Sequence, residues 1–233
     1  MTSIAQQVPV FVCSSDARER NVSIMFEASE PNSQYVHDPS EPCTNGYVMP
    51  VVLRICKTLA ANRVIDIGCG NGMLCRRLAD AGLEVVGVEP SASGIEYARR
   101  LVPEGRFYQM GVYDDPGAIA ESDFDVAVST EVIEHLVQPA ALPQFAARKL
   151  NPSGTLLIST PYHGYLKDLA LAIAGKWDAH HAPCWDGGHV KFWSRRSLSM
   201  LLNSNGFRVT GFVGAGRLPW LWKTMVVTAR KTG

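Results

Sequence analysis

The chain has 233 residues, 46% hydrophobic and 19% charged, with Lys+Arg and Asp+Glu balanced at 22 each. Such a length and apolar content fit one globular domain with a large core, and the neutral balance gives no electrostatic reason to expect a nucleic-acid partner. No apolar stretch approaches the ~20 residues of a membrane span, the start MTSIAQQVPVFVC lacks the basic residues of a signal peptide, and six cysteines without a C-x-x-C pair read as reduced thiols of a cytoplasmic protein.

Residues 1–45, with Pro31, Pro39 and Pro42, read as an N-terminal arm that orders over a ligand, ahead of one domain over 46–233. Tyr47 to Leu59 carries apolar residues at helical spacing. Strand and helix then alternate: strand 63–67, helix 72–81 stopped by Gly82, strand 84–88, and helix 91–102 capped by Ser91. Short strands near 106–110 and over 124–128 follow, then a helix around 140–149 and a strand over 154–159. Residues 161–193 exceed a plain crossover and read as a capping insertion. The helix from Ser194 to Asn203 ends at Gly206, and strands near 207–213 and 224–230 read as a terminal hairpin. The alternation predicts an α/β fold, a doubly wound parallel sheet with helices on both faces. All five tryptophans lie at or after residue 177, which predicts an aromatic cap at that end of the chain.

The segment Val64–Gly72, VIDIGCGNG, carries the most chemistry. A β-branched run reads as a buried parallel strand. Glycines at its end permit positive φ and close approach of a ligand to the backbone. Asn71 or a neighbour then opens a helix whose free N–H groups face that ligand. The next apolar run ends in Glu89, placed to accept both hydroxyls of a ribose. The spacing Gly68-x-Gly70-x-Gly72 departs from the G-x-G-x-x-G of dinucleotide enzymes. Asp66, two residues before the first glycine, suits a cationic ligand part rather than a phosphate.

On these residues the segment resembles motif I of the class I S-adenosylmethionine-dependent methyltransferases. The words STEVIEHL (129–136) and LNPSGTLLISTP (150–161), with GHVKFWS at 188–194, resemble more narrowly the small-molecule O-methyltransferases that act on catechol-like precursors of ubiquinone. The resemblance implies a Rossmann-like sheet of about seven strands with an antiparallel last strand, S-adenosyl-L-methionine as cofactor, and a small-molecule acceptor. It places Gly68, Cys69 and Gly70 at the cofactor backbone, Asp66 at its amino end, and Glu89 with Pro90 at the ribose. Val112 and Tyr113 then flank the adenine, and Thr130 with Glu131 lie at the methionine end. Where that family carries an Asn-Arg pair after Ser159-Thr160, this chain has Tyr162-His163.

Glu131, Glu134 and His135 at i, i+3, i+4 would share one helical face. Three readings stand open there: acids at a helix start, His135 as acid or base, or a divalent-metal site. No metal is expected. Among the other histidines, His163 follows a strand's carboxyl end and His189 holds the family-like position, with Asp186 near enough to orient it. A neutral imidazole is suited to take a hydroxyl proton near pH 7, so His189, His163 and His135 are the catalytic candidates. The stripe Leu218–Trp222, flanked by Arg217 and Lys223, offers peripheral membrane contact without insertion, or closes the pocket as a hairpin edge. The alternatives to methyl transfer are a nicotinamide-dependent oxidoreductase and a cofactor-binding but inactive subunit.

Overall fold

The computed structural model describes residues 44–232, apart from 182 and 185–187. The arm expected over 1–45 therefore falls, up to residue 43, outside the described residues, as do Asp186 and Trp185.

Helix α1 (Asn45–Thr58) precedes strand β1 (Arg63–Ile67), whose last four residues are buried. Helix α2 (Met73–Asp80) leads to β2 (Glu84–Glu89), and α3 (Ala92–Leu101) leads to β3 (Arg106–Gln109). Then come β4 (Phe124–Thr130), α4 (Ala141–Lys149) and a long β5 (Leu150–Pro161). Short helices α5 (Tyr165–Ile173) and α6 (Trp177–His181) occupy the expected insertion. Helix α7 (Arg195–Asn203) and strands β6 (Phe207–Ala215) and β7 (Thr224–Lys231) complete the domain.

The strands form one sheet in the order β3-β2-β1-β4-β5-β7-β6. Every pairing from β3 to β5 is parallel, and β7 runs antiparallel to both β5 and β6. The predicted hairpin is present, and its second strand inserts between β5 and β6. Order reverses between β1 and β4, so the crevice outside their carboxyl ends is the place for a ligand. One core lies on each face. One gathers Ile65, Ile67, Val86, Val88, Phe124 and Leu156, the other Val64, Leu78, Val85, Val126, Val128 and Leu157. Along β1, β2 and β5 alternate residues feed opposite cores, as the period of two requires, and in β4 the register shift between Phe124 and Val126 puts Phe124 in the opposite core from Val126 and Val128.

Ser91 caps α3 as expected, its hydroxyl accepting from Gly94 N at 3.3 Å; loss of such a cap costs about 1 kcal/mol. At α2 the cap is Gly72 rather than Asn71, with φ of 82°. A Cβ there would lie 2.8 Å from the Ala98 backbone, so the third glycine lets the start of α2 close onto α3. Asn71 assists from one residue back, accepting from Met73 N at 3.4 Å.

Candidate active site

Two groups of side chains stand at the carboxyl ends of the strands. The first lies at β1 and β2. Gly68 turns with φ of 82°, and a Cβ on it would collide with the Val132 side chain. Its N–H and that of Cys69 both donate to Val88 O, at 2.7 and 3.0 Å, which holds the loop against β2. Glu89 is buried and ties the same loop down. Its Oε2 accepts from Gly70 N at 3.1 Å and its Oε1 from Ser91 N at 2.9 Å. Pro90 follows it, its carbonyl accepting from Gln109 Nε2 at 3.4 Å.

Asp66 is 1% exposed beneath the loop. Its Oδ2 accepts from the Cys75 thiol at 3.3 Å, and its Oδ1 has no hydrogen-bond partner. Burial pushes its pKa up to about 7, the Cys75 bond opposing and the Glu89 charge adding. A buried carboxyl oxygen without a donor carries a penalty that a ligand ammonium would remove. Cys69 is a buried free thiol, packed where a Cβ on Gly87 would touch its Sγ at 2.8 Å. Val112 packs partly buried against the core, and Tyr113 is exposed, its hydroxyl accepting from Gln138 N at 3.2 Å.

The second group lies at β4 and β5. Thr130 ends β4, and Glu131 follows with φ of 55°, a left-handed conformation rare outside glycine. Ser159 Oγ donates to Glu131 Oε1 at 2.8 Å, and Thr224 Oγ1 to Oε2 at 3.5 Å. Thr160 Oγ1 donates to Glu134 Oε2 at 3.0 Å, leaving Glu134 Oε1 buried without a partner. Burial raises the pKa of both carboxyls, and the Glu131 charge raises Glu134 further.

The expectation that Glu131, Glu134 and His135 share one helical face is corrected here. Only Ile133–His135 is helical, as a single 3₁₀ turn, and Glu131 precedes it in the left-handed region. With three residues per turn and a reversed backbone before it, the i, i+3, i+4 rule does not apply. Glu131 turns to Ser159 and Thr224, whereas His135 turns to His189, the rings meeting edge to face at 4.9 Å. Val190 N and Lys191 N both donate to Glu134 O, at 2.9 and 3.0 Å. That pair of bonds brings residue 189 beside residue 135. Glu134, His135 and His189 each offer a ligand atom, all within 4.8 Å of one another. One carboxylate and two imidazoles can coordinate a divalent transition metal. The metal-capable trio thus contains His189 in place of Glu131.

His163 is 9% exposed, its N–H donating to Trp193 O at 3.1 Å. Its ring stacks on His181 at 5.5 Å and meets Phe192 edge-on at 5.1 Å. Burial lowers its pKa to about 3, with the Lys167 charge adding. Burial likewise lowers His189 to about 4, with His135 adding. The expectation of an imidazole balanced near pH 7 is therefore corrected for both: they are neutral at that pH but weaker bases than free histidine.

The tryptophans expected to form an aromatic cap have different environments. Trp193 is buried, and Trp222 packs against Tyr162 at 5.2 Å and Phe212 at 5.5 Å. Trp177 and Trp220 are exposed, as are Leu166, Leu169 and Ile173 of α5. Sequence reasoning did not assign roles to Ser159, Thr160, Thr224 and Lys167. The first two were reachable, since they end β5 where ligands sit. Thr224 was not, because only the insertion of β7 beside β5 brings it there.

A family model described as "Methyltransferase domain" matches residues 38–211. Among curated proteins, the chain is 29% identical over 188 residues to the ubiquinone biosynthesis O-methyltransferase of Azorhizobium caulinodans, covering 74% of this chain and 72% of that protein. It is 31% identical over 167 residues to the protein of that name from Rhodopseudomonas palustris, covering 67% and 62%. Among solved structures, magnesium protoporphyrin IX methyltransferase from Synechocystis with bound S-adenosylhomocysteine aligns with a TM-score of 0.59 at 18% identity, over 79% of this chain and 82% of that one. A Burkholderia thailandensis 1,6-didemethyltoxoflavin-N1-methyltransferase aligns with a TM-score of 0.59 at 19% identity, over 79% and 78%. At these identities the structural matches establish the shared fold.

Proposed function

The chain belongs to the methyltransferase-domain family, and from that premise we propose that it moves the methyl group of S-adenosyl-L-methionine to an oxygen of a small-molecule acceptor. The carrying observation is the orphaned Oδ1 of Asp66 beneath a glycine loop that Glu89 ties to the next strand. An ammonium satisfies the first carboxyl and a ribose diol the second, and S-adenosylmethionine has both. Gly68, Cys69 and Gly70 line its backbone, Pro90, Val112 and Tyr113 its nucleoside end, and Thr130 with Glu131 its amino-acid end. The cofactor supplies a sulfonium methyl already activated for displacement.

The residues of the chain then have two tasks. The glycine loop and the β4 and β5 ends hold the two reactants in line, which contributes roughly 7–11 kcal/mol. A neutral imidazole takes the acceptor proton, worth roughly 10²–10⁴-fold. His189 is the assigned base, since the Glu134 carbonyl fixes its loop beside His135. His163 packs among rings and serves the wall of the acceptor site. The name shared by the relatives, an O-methyltransferase, supports oxygen over nitrogen. The sheet order and glycine spacing support this reading over a nicotinamide oxidoreductase.

No helix among the described residues is long and apolar enough to cross a membrane. We place the enzyme in the cytoplasm, with peripheral bilayer contact through the exposed Leu218, Trp220 and Leu221. Calorimetry with S-adenosylhomocysteine and with NADH tests the cofactor. Binding of NADH alone would overturn the reading. Mass gain of one methyl in a cell-extract screen tests turnover.

A further inference from the structure

Strand β1 puts an acid where its neighbours put core. Val64 and Asp66 project from the same face of the strand, and the core on that face gathers Val64, Leu74 and Leu78 with three cysteines, Cys56, Cys69 and Cys75. A carboxyl buried among such groups needs donors. Among the described residues Asp66 has one, and it is a weak one: the Cys75 thiol, 3.3 Å from Oδ2. Oδ1 has none. Packing alone asks only for a small apolar side chain at residue 75.

Cys75 is fully buried in the first turn of α2, at 0% exposure. Its contact with Cys69 and its burial push its pKa well above the ordinary thiol value, so it stays a donor at neutral pH. It has a single proton to give, and in the 3.3 Å bond that proton goes to Oδ2. Cys69 turns its own thiol to Gly70 O at 4.0 Å, and Gly70 N donates to Glu89 at 3.1 Å. Asp66 and Glu89, the two acids of the cofactor site, are thus joined through Cys75, Cys69 and Gly70.

We propose that Cys75 is a positioning residue of the cofactor site, its thiol engaging one oxygen of Asp66 so that the other alone is presented to the ammonium of S-adenosyl-L-methionine. A thiol suits this task because it is a weak donor. A strong donor at residue 75 would hold the carboxylate charged with no ligand present. Burial instead raises the Asp66 pKa to about 7, and the arriving ammonium draws off the proton. The other groups that act on Asp66 bring no cation: Glu89 of β2 raises its pKa further, and Cys56 of α1 and Cys69 of the loop are buried free thiols. The site therefore favours a cationic ligand end, and Cys75 sets the pH below which it fails.

This inference rests on the methyl-transfer reading, and its test separates the two. S-adenosylhomocysteine is titrated by calorimetry into the full chain at pH 6, 7 and 8 for wild type, Cys75→Ser and Cys75→Ala, each beside a melting curve that checks the fold. Only the carboxylate pairs with the ligand ammonium, so wild-type affinity is expected to fall about tenfold from pH 8 to pH 6. A hydroxyl is the stronger donor and lowers the Asp66 pKa, so in Cys75→Ser the fall shrinks to a few-fold. Cys75→Ala has no donor, the pKa rises, and the fall exceeds that of wild type. Glu131 also titrates near neutral pH, but neither substitution touches it, so the differences among the three proteins report Asp66. Should Cys75→Ala not fold, the near-isosteric Cys75→Ser alone decides. The same pH dependence in every folded protein, or a variant whose affinity drops equally at each pH, marks Cys75 as packing only and overturns the assignment. So does a wild-type affinity that ignores pH. Failure of wild-type protein to bind S-adenosylhomocysteine even at pH 8 would instead overturn the methyl-transfer reading.

Discussion

The two ends of the crevice solve the same problem with different materials. At β1 and β2 a pair of buried acids, Asp66 and Glu89, is held by a stretch of chain only 26 residues long, from Asp66 to Ser91. Backbone N–H groups do most of the holding, through Gly70 and Ser91 on Glu89. At β4 and β5 a second pair, Glu131 and Glu134, is held by hydroxyls from Ser159, Thr160 and Thr224, the last of them 93 residues away in sequence. The first site is a local motif at the carboxyl ends of two interior strands. The second is an assembly of distant segments, completed by the 188–193 loop hung on the Glu134 carbonyl. A local motif suits a cofactor common to many enzymes. An assembly of loops suits an acceptor that differs among them.

The contrast is broken most sharply at the assembled end. A base acts only as the methyl moves, so its loss lowers kcat more than ground-state binding. His189→Ala is expected to lower kcat by about 10²-fold or more, with S-adenosylhomocysteine affinity nearly unchanged. Because the neutral, competent imidazole persists down to about pH 4, kcat should show no acid limb near pH 6.5 from this residue. Steady-state kinetics across pH 5–8 reads both. A drop of only a few-fold, or a limb at pH 6.5 that vanishes in the variant, would move the base to another group.

Glu89→Ala addresses the local end. The carboxylate is asked to hold two loop N–H groups and a ribose diol, and charge-assisted bonds are each worth roughly 1.5–3 kcal/mol. Affinity for S-adenosylhomocysteine should fall at least roughly tenfold, measured by calorimetry beside a melting curve that checks the fold. Unchanged affinity would sink the ribose assignment.

How far each end is readable from the chain follows from the same difference. Strand, glycines and acid lie close together in the chain, so VIDIGCGNG and Glu89 are legible in the sequence itself. The helix of α3 and the cap at Ser91 were equally plain, since caps and periodicity are short-range signals. The strand order, with β7 threaded between β5 and β6, needed the fold, and with it the Thr224 contact. The EVIEH word misled because periodicity assumes a helix, and a single left-handed residue at Glu131 cancels the assumption. Nor could the histidine pKa values be read, since they come from burial that only the fold creates, His189 lying against His135 and His163 against Phe192.

A subtler effect concerns Asp66. With its pKa raised to about 7 by burial, the carboxyl is close to half protonated at neutral pH. An ammonium placed beside it favours the carboxylate and lowers that pKa. Cofactor binding near pH 7 should therefore release roughly half a proton. Titrations with S-adenosylhomocysteine in phosphate and in Tris report the release as a difference in observed enthalpy. Asp66→Asn should remove that difference. Buffer-independent heats in the wild type would show that Asp66 does not meet the amino end.

The smallest expected effect is that of a chelator, and it decides what His189 is. A base needs an open imidazole nitrogen, whereas a metal ligand has given that lone pair away. The trio Glu134, His135 and His189 has the reach for a cation, with ligand atoms within 4.8 Å. Yet burial and Glu131 raise the Glu134 pKa, favouring the neutral carboxylic acid, a poor ligand. The cofactor methyl is also electrophilic enough to need no Lewis acid. EDTA treatment followed by dialysis is therefore expected to leave turnover within a few-fold of its starting value. Loss of activity restored by Mn²⁺ or Zn²⁺, together with a metal-dependent rise in Tm that His189→Ala abolishes, would instead make the trio a metal centre. The acceptor proton would then leave from a metal-polarised hydroxyl, and His189 would be a ligand rather than the base.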